Sequence, residues 1–254
     1  MNELNNTPVT PPSSGAPGPA GWFAVWIKAV TQPKEQTFID ITEHPDAKSK
    51  TAYIWVFIAG TLSGIIQAFA AAITTATGAT SPLQQIPGLE QYIPQSTGGG
   101  GGVGAALIGG LCASPLAGLL SVAFFALGVA IVQWIAKLFG GVGTYEKLLY
   151  AFAAISVPFT IVSSLFALLG LIPFVGYCTG IISFGLGIYA LVLQVMAVKG
   201  INRFGMGQAI GSVFIPGCVV FIVCACVVVG GLMLLGPVIG NVFGDINQGL
   251  QFAP

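Results

Sequence analysis

Five stretches of this chain run for more than twenty residues without a charged side chain: 53–73, 114–136, 148–172, 177–198 and 211–235. A helix rises about 1.5 Å per residue, so roughly 20 apolar residues cross the ~30 Å hydrocarbon core of a bilayer. Hydrocarbon offers the backbone no hydrogen bonds, which leaves helices or a closed barrel as the structures able to span it. A barrel strand alternates apolar and polar residues, whereas 116–132 and 219–235 are apolar all round. The pattern predicts an all-α integral membrane protein, a bundle of five transmembrane helices. Charged residues make up 6% of the 254, against roughly 25% in an average soluble domain. That composition excludes a soluble globular enzyme. With 8 basic and 8 acidic residues, there is also no cationic surplus to serve nucleic acid.

The placement of the basic residues predicts the threading. Lys28, Lys34, Lys48 and Lys50 precede the first span, Lys137 and Lys147 bracket the second connection, and Lys199 and Arg203 lie in the fourth. The first connection, the third and the C-terminal tail at 237–254 carry no Lys or Arg. Short basic loops stay in the cytoplasm, so the N-terminus is expected inside and the C-terminus outside. Residues 1–20 hold five prolines and no apolar core, which predicts a disordered tail and no signal peptide.

Residues 21–50 are expected to form a cytoplasmic interfacial segment. Its first helix, at 21–31, places Trp22, Trp26 and Val30 on one face, suited to anchoring in the headgroup layer. Pro33 stops it, and a second short helix is expected at 34–42. The membrane domain then occupies 51–236. Its longest connection, 74–113, contains five consecutive glycines at 98–102, a flexible tether with no Lys-Ser/Thr to make it a phosphate loop. Pro115 is either a kink or the start of the second span. Spans three and five carry Pro158 and Pro216, whose freed carbonyls Ser156, Thr160 and Ser212 are close enough to satisfy. Gly60 with Gly64, Gly176 with Gly180 and Gly207 with Gly211 are small pairs that let helices approach.

The spans contain no Asp, Glu, His, Lys or Arg, the residues that mark proton relays and coupled transport. The polar residues that remain are Gln67, Gln133, Gln194 and scattered Ser and Thr. Their expected role is hydrogen bonding between helices, and the alternative is the lining of a path for a neutral or lipidic solute. The five cysteines read as small buried hydrophobes. His44 stands alone, so no metal centre is expected. Glu146 suits the positive N-terminal end of span three. No catalytic constellation and no cofactor motif stands out, which predicts a protein that is not an enzyme.

Residues 140–158, GGVGTYEKLLYAFAAISVP, resemble the central signature of the Yip1-domain membrane proteins in their prokaryotic form. There a Gly-Gly-x-Gly-Thr/Ser-aromatic loop leads into a span with a mid-helix proline. WIKAVTQPKEQTF at 26–38 and INRFGMGQA at 201–209 are similar to other parts of that family. The matching positions are Gly140, Gly141, Gly143, Thr144, Tyr145 and Pro158. Glycines there permit positive φ, and Thr144 can cap span three. The resemblance implies a five-span membrane protein with lipid as its environment and membrane proteins or its own copies as partners. Eukaryotic relatives associate with small prenylated GTPases. The acidic and tyrosine-glycine motifs tied to that association are absent here, so GTPase binding is not carried over. A multi-pass protein of a prokaryotic cell membrane, organising other components through its cytoplasmic loops, is the expected function; a passive channel or transporter for a neutral or lipidic solute is the alternative.

Overall fold

The computed structural model describes residues 19–45, 47–77, 102–172 and 175–251. They form α1 (Pro19–Thr31), α2 (Glu35–Glu43), α3 (Ser49–Thr77), α4 (Val103–Leu138), α5 (Tyr145–Leu169), α6 (Val175–Asn202) and α7 (Met206–Gln251). No strand occurs among the described residues, and α3 to α7 are each long and apolar enough to cross a membrane. The expected tail lies almost wholly outside the described residues, as do the glycines at 98–101 and Pro173.

The helices outrun the spans read from hydropathy. α4 begins at Val103, so Pro115 sits inside it and not at its start. Proline cannot donate to the carbonyl four residues earlier, here that of Leu111. The Ser114 hydroxyl donates to that carbonyl instead, at 2.8 Å. The helpers expected at the other two prolines go elsewhere: Thr160 donates to Ser156 O and Ser212 to Gln208 O, both at 2.8 Å. Neither reaches the carbonyls of Ala154 and Ser212 that Pro158 and Pro216 leave without a backbone donor. α7 continues to Gln251 through the stretch expected as a tail.

Packing is concentrated at the end of the bundle that carries the basic residues. All eight residues from Leu148 to Ile155 on α5 are buried, enclosed by α3, α6 and the two short helices. Phe38 of α2 is fully buried, as are Ala52 of α3 and Leu193 and Val198 of α6. Farther along, Leu165, Ile181 and Phe184 are exposed, and every side chain from 217 to 227 of α7 faces outward. Apolar side chains on that surface match hydrocarbon. The five cysteines are exposed too, contrary to the buried placement expected of them; lipid receives a thiol on the outside of a span as readily as a core does.

α1 lies on the bundle, and its tryptophans turn inward. Trp22 and Trp26 meet Trp55 of α3 edge-on, with centroids 6.0 and 5.5 Å away, and Trp55 stacks at a tilt on Tyr150, 4.9 Å away. This corrects the expected anchor: the residues α1 turns outward are Phe23 and Ile27. Tyr189 of α6 donates to the Val30 carbonyl at 2.6 Å and holds the end of α1 in place. α2 is fixed by ion pairs of Glu35 with Lys199 and of Glu43 with Lys147 (3.7 Å), and Asp40 reaches Lys28 of α1 (3.8 Å). Exposed pairs of this kind contribute little singly; the buried face of α2 around Phe38 and Ile41 supplies the adhesion.

α3 and α4 approach through small residues. A Cβ on Gly64 would stand 3.0 Å from the Ser114 Cβ, and one on Gly118 would stand 2.2 Å from Thr61 Oγ1 and 3.1 Å from the Phe57 carbonyl. Close backbone contact gains dispersion where no hydrophobic drive separates helix from lipid. Of the expected pairs, Gly60 with Gly64 works in this way, whereas Gly180 and Gly207 face open space. Gly118→Val should therefore lower the melting temperature of the detergent-purified protein, through overpacking of about 1–3 kcal/mol. Gly128→Ala, where nothing lies within 4 Å, should leave it unchanged.

Candidate functional site

Two connections meet at the basic end, 139–144 between α4 and α5 and 203–205 between α6 and α7. The first turns at Gly140, with φ +86°, a conformation that L side chains resist and glycine adopts freely. The Gly140 N–H donates to the Lys137 carbonyl (3.0 Å), and that of Gly141 to the Ala136 carbonyl (2.9 Å). Thr144 then caps α5, its Oγ1 accepting from the Lys147 N–H. The expected cap is in place.

Behind the loop lies a polar knot. Gln133 Nε2 donates to the Gly143 carbonyl at 2.7 Å and to Asn202 Oδ1 at 3.1 Å. Asn202 Nδ2 donates to the Val198 carbonyl (3.1 Å) and, more weakly, to Gln133 Oε1 (3.4 Å). The Asn202 carbonyl accepts from the Val142 N–H at 3.2 Å. Gln133 and Asn202 are 3% and 1% exposed, so these bonds are made away from water, where an unmet amide is costly. The knot needs two of the glycines. A Cβ on Gly141 would stand 2.6 Å from Asn202 Oδ1, and one on Gly143 would stand 2.7 Å from it.

The second connection is tied in by Gln208. Its Oε1 accepts from the Gly205 N–H (2.9 Å), and its Nε2 donates to the Phe139 carbonyl (3.2 Å). Arg203 takes a positive φ of 54° at the turn out of α6. Tyr145 closes the other side: its hydroxyl donates to the Ala126 carbonyl and lies beside the Tyr53 hydroxyl, both at 3.2 Å. The loop is thus joined to α3, α4, α5, α6 and the start of α7. A crevice of about 240 Å³ opens between it and α2, lined by Thr42, Glu43, Thr144, Lys147 and Arg203 among others. The pairing of Lys147 with Glu43 across it largely offsets their charges.

Residues 27–228 match the family profile of the Yip1 domain. The chain belongs to the Yip1 domain family. No curated protein and no solved structure is significantly similar to it. The match covers all five membrane-spanning helices up to residue 228 of α7, and it agrees with the family read from the loop signature. In this Yip1 domain the signature positions Gly140, Gly141, Gly143, Thr144 and Tyr145 come together in one loop, while Pro158 lies farther along α5, inside the helix.

The three intramembrane glutamines part company. Gln133 belongs to the knot and makes the bond between helices expected of it. Gln67 and Gln194 face one cleft between α3, α5 and α6. Asn202 and Gln208, which hold the two connections together, lie in a segment whose sequence shows an ordinary polar loop. A polar residue in the last turn of an apolar span was the available signal for Asn202. Breaking the knot gives a test. Asn202→Leu and Gln133→Leu should each destabilise the purified protein by about 1–3 kcal/mol, the cost of a buried amide left unpaired. The double variant should be less destabilised than the sum, as read from thermal melts in a double-mutant cycle.

Proposed function

We propose that this Yip1-family membrane protein is a non-enzymatic organiser that presents its basic end to other membrane proteins, its own copies among them. The observation that carries this reading is Val142. Its backbone N–H is held by Asn202, yet its side chain is 69% exposed at the tip of the loop. Leu138, at the end of α4, and Met206, at the start of α7, are exposed as well. An apolar tip on a loop already fixed in place loses little entropy on binding, so more of the contact energy appears as affinity. The alternative, passage of a neutral solute, is weakened by the sealing of Gln133 inside the knot. The non-enzymatic reading is supported by the crevice beside the loop, where the acid Glu43 is paired to Lys147 and not to a nucleophile.

All eight Lys and Arg residues fall at this end or in the segment leading to it, which supports a cytoplasmic position for it. Phe23 and Ile27, outermost on α1, would then touch the inner headgroup layer. Compartment-specific reporters fused after Pro254 should report an external C-terminus, and reporters before Met1 a cytoplasmic N-terminus. A photocrosslinking amino acid at 142 in native membranes should capture the same membrane protein as one at 206. Phe221, far along α7, should capture only lipid, and Asp at 142 should abolish capture from 206. Capture that is equal from 142 and 221 would remove the loop from the function.

A further inference from the structure

Among the described residues two take a left-handed backbone conformation, Gly140 at the turn out of α4 and Arg203 at the turn out of α6. The Arg203 N–H donates to the Lys199 carbonyl at 2.9 Å. Arg203 thus closes the end of α6 from a position that glycine or asparagine ordinarily takes. A residue with a Cβ loses about 1–2 kcal/mol in that conformation, and strain of this kind gathers where a side chain is in use. The residue is also singular in type: seven of the chain's eight cations are lysines, and Arg203 is its only arginine. Its side chain is exposed and, among the described residues, makes no hydrogen bond or ion pair. Lys28, Lys147 and Lys199, by contrast, are each held by an acid.

The guanidinium has an apolar neighbour. Val142, the exposed tip of the adjoining loop, donates its N–H to the Asn202 carbonyl (3.2 Å), one residue before Arg203. Both residues line the crevice between the loop and α2. Their level decides what they can meet. Arg203 lies five residues past Val198, where the charge-free stretch of α6 ends. That is about 8 Å at the helical rise, against a headgroup region about 5–8 Å deep. Val142 at the same level reaches no hydrocarbon, so lipid does not account for its apolar side chain. The segments at this end, 21–52, 137–147 and 199–205, carry eight cations against five acids, so the same end of a second copy is repelled. What fits is a carboxylate beside an apolar side chain on another protein. A guanidinium takes a carboxylate through two parallel N–H donors, which an ammonium cannot do, and Val142 supplies the apolar contact.

We infer that Arg203 and Val142 form a docking surface for an acidic, apolar segment of a partner protein, with Arg203 selecting the carboxylate. The inference rests on the Val142 reading and adds the chemistry of the partner. It is tested with the full chain in phosphatidylcholine nanodiscs and a fluorescent peptide of alternating Glu and Leu. The peptide should bind saturably, whereas its twin with Gln for Glu should not. Bound peptide should also protect Arg203 from phenylglyoxal, an arginine reagent with this one guanidinium to attack. Arg203→Gly should weaken binding about tenfold, or 1.4 kcal/mol, while holding or raising the melting temperature, because glycine relieves the left-handed turn. Arg203→Lys, which keeps the charge and loses the fork, should also bind more weakly than the unaltered protein. Equal binding of the Gln twin, or binding undiminished in Arg203→Gly, would overturn the assignment. So would phosphatidylglycerol nanodiscs that protect Arg203 without peptide as well as the peptide does, since lipid is then the partner. In native membranes, capture from a photocrosslinker at 142 that is undiminished by Arg203→Gln would overturn it and leave the Val142 reading in place. Failure to capture any protein from 142 with Arg203 intact would remove both.

Discussion

An amide placed among apolar helices must find its hydrogen bonds on the protein, and the Gln133–Asn202 pair is where this chain meets that demand. The two side chains bond each other, the Gly143 carbonyl and the Val198 carbonyl, while the Asn202 backbone takes the Val142 N–H. One knot thereby fastens the end of α4, the loop into α5 and the end of α6. Neutral hydrogen bonds of this kind contribute only about 1 kcal/mol each. Their larger effect is on specificity, because an alternative packing that separated the pair would leave two buried amides unmet.

The rest of the architecture follows from where the packing is tight. At the basic end the first half of α5 is enclosed on all sides, and α1 and α2 fold back onto it through Trp22, Trp26 and Phe38. Among the described residues, the indole N–H groups of Trp22, Trp26 and Trp55 find no acceptor there, so that cluster is held by ring packing and area. Away from the basic end, α6 and α7 turn apolar faces outward, where lipid covers them at no cost. Some polar groups there bond their own helix, as Ser164 does to the Ile161 carbonyl, and others line the cleft. The molecule is a rigid base from which the spans extend.

Much of this was readable from the residue order, and the limits have physical causes. Charge-free runs of twenty residues have few other stable states in a bilayer, so five spans followed directly from hydropathy. Thr144 could be recognised as a cap because capping is a contact between near neighbours. Helix ends were less accessible: α4 starts at Val103 because nothing in a Gly/Ala-rich stretch forbids a helix that apolar surroundings favour. The tryptophans of α1 were mistaken for lipid anchors because an aromatic stripe satisfies a membrane interface and a protein groove equally well. Trp55, 29 residues beyond Trp26, decided between them.

By itself the order of residues determined the class, the number of spans, the segregation of charge and the family loop, since each rests on local composition or on neighbours in the chain. Only the tertiary structure decided which glutamine is structural and which two face a cleft, and it alone made Asn202 the partner of a residue 69 positions away. Three glutamines in apolar helices carry the same sequence signal. What separates them is the neighbour each meets when the helices assemble, because the energy of a polar group in hydrocarbon depends on its partner and not on its own identity.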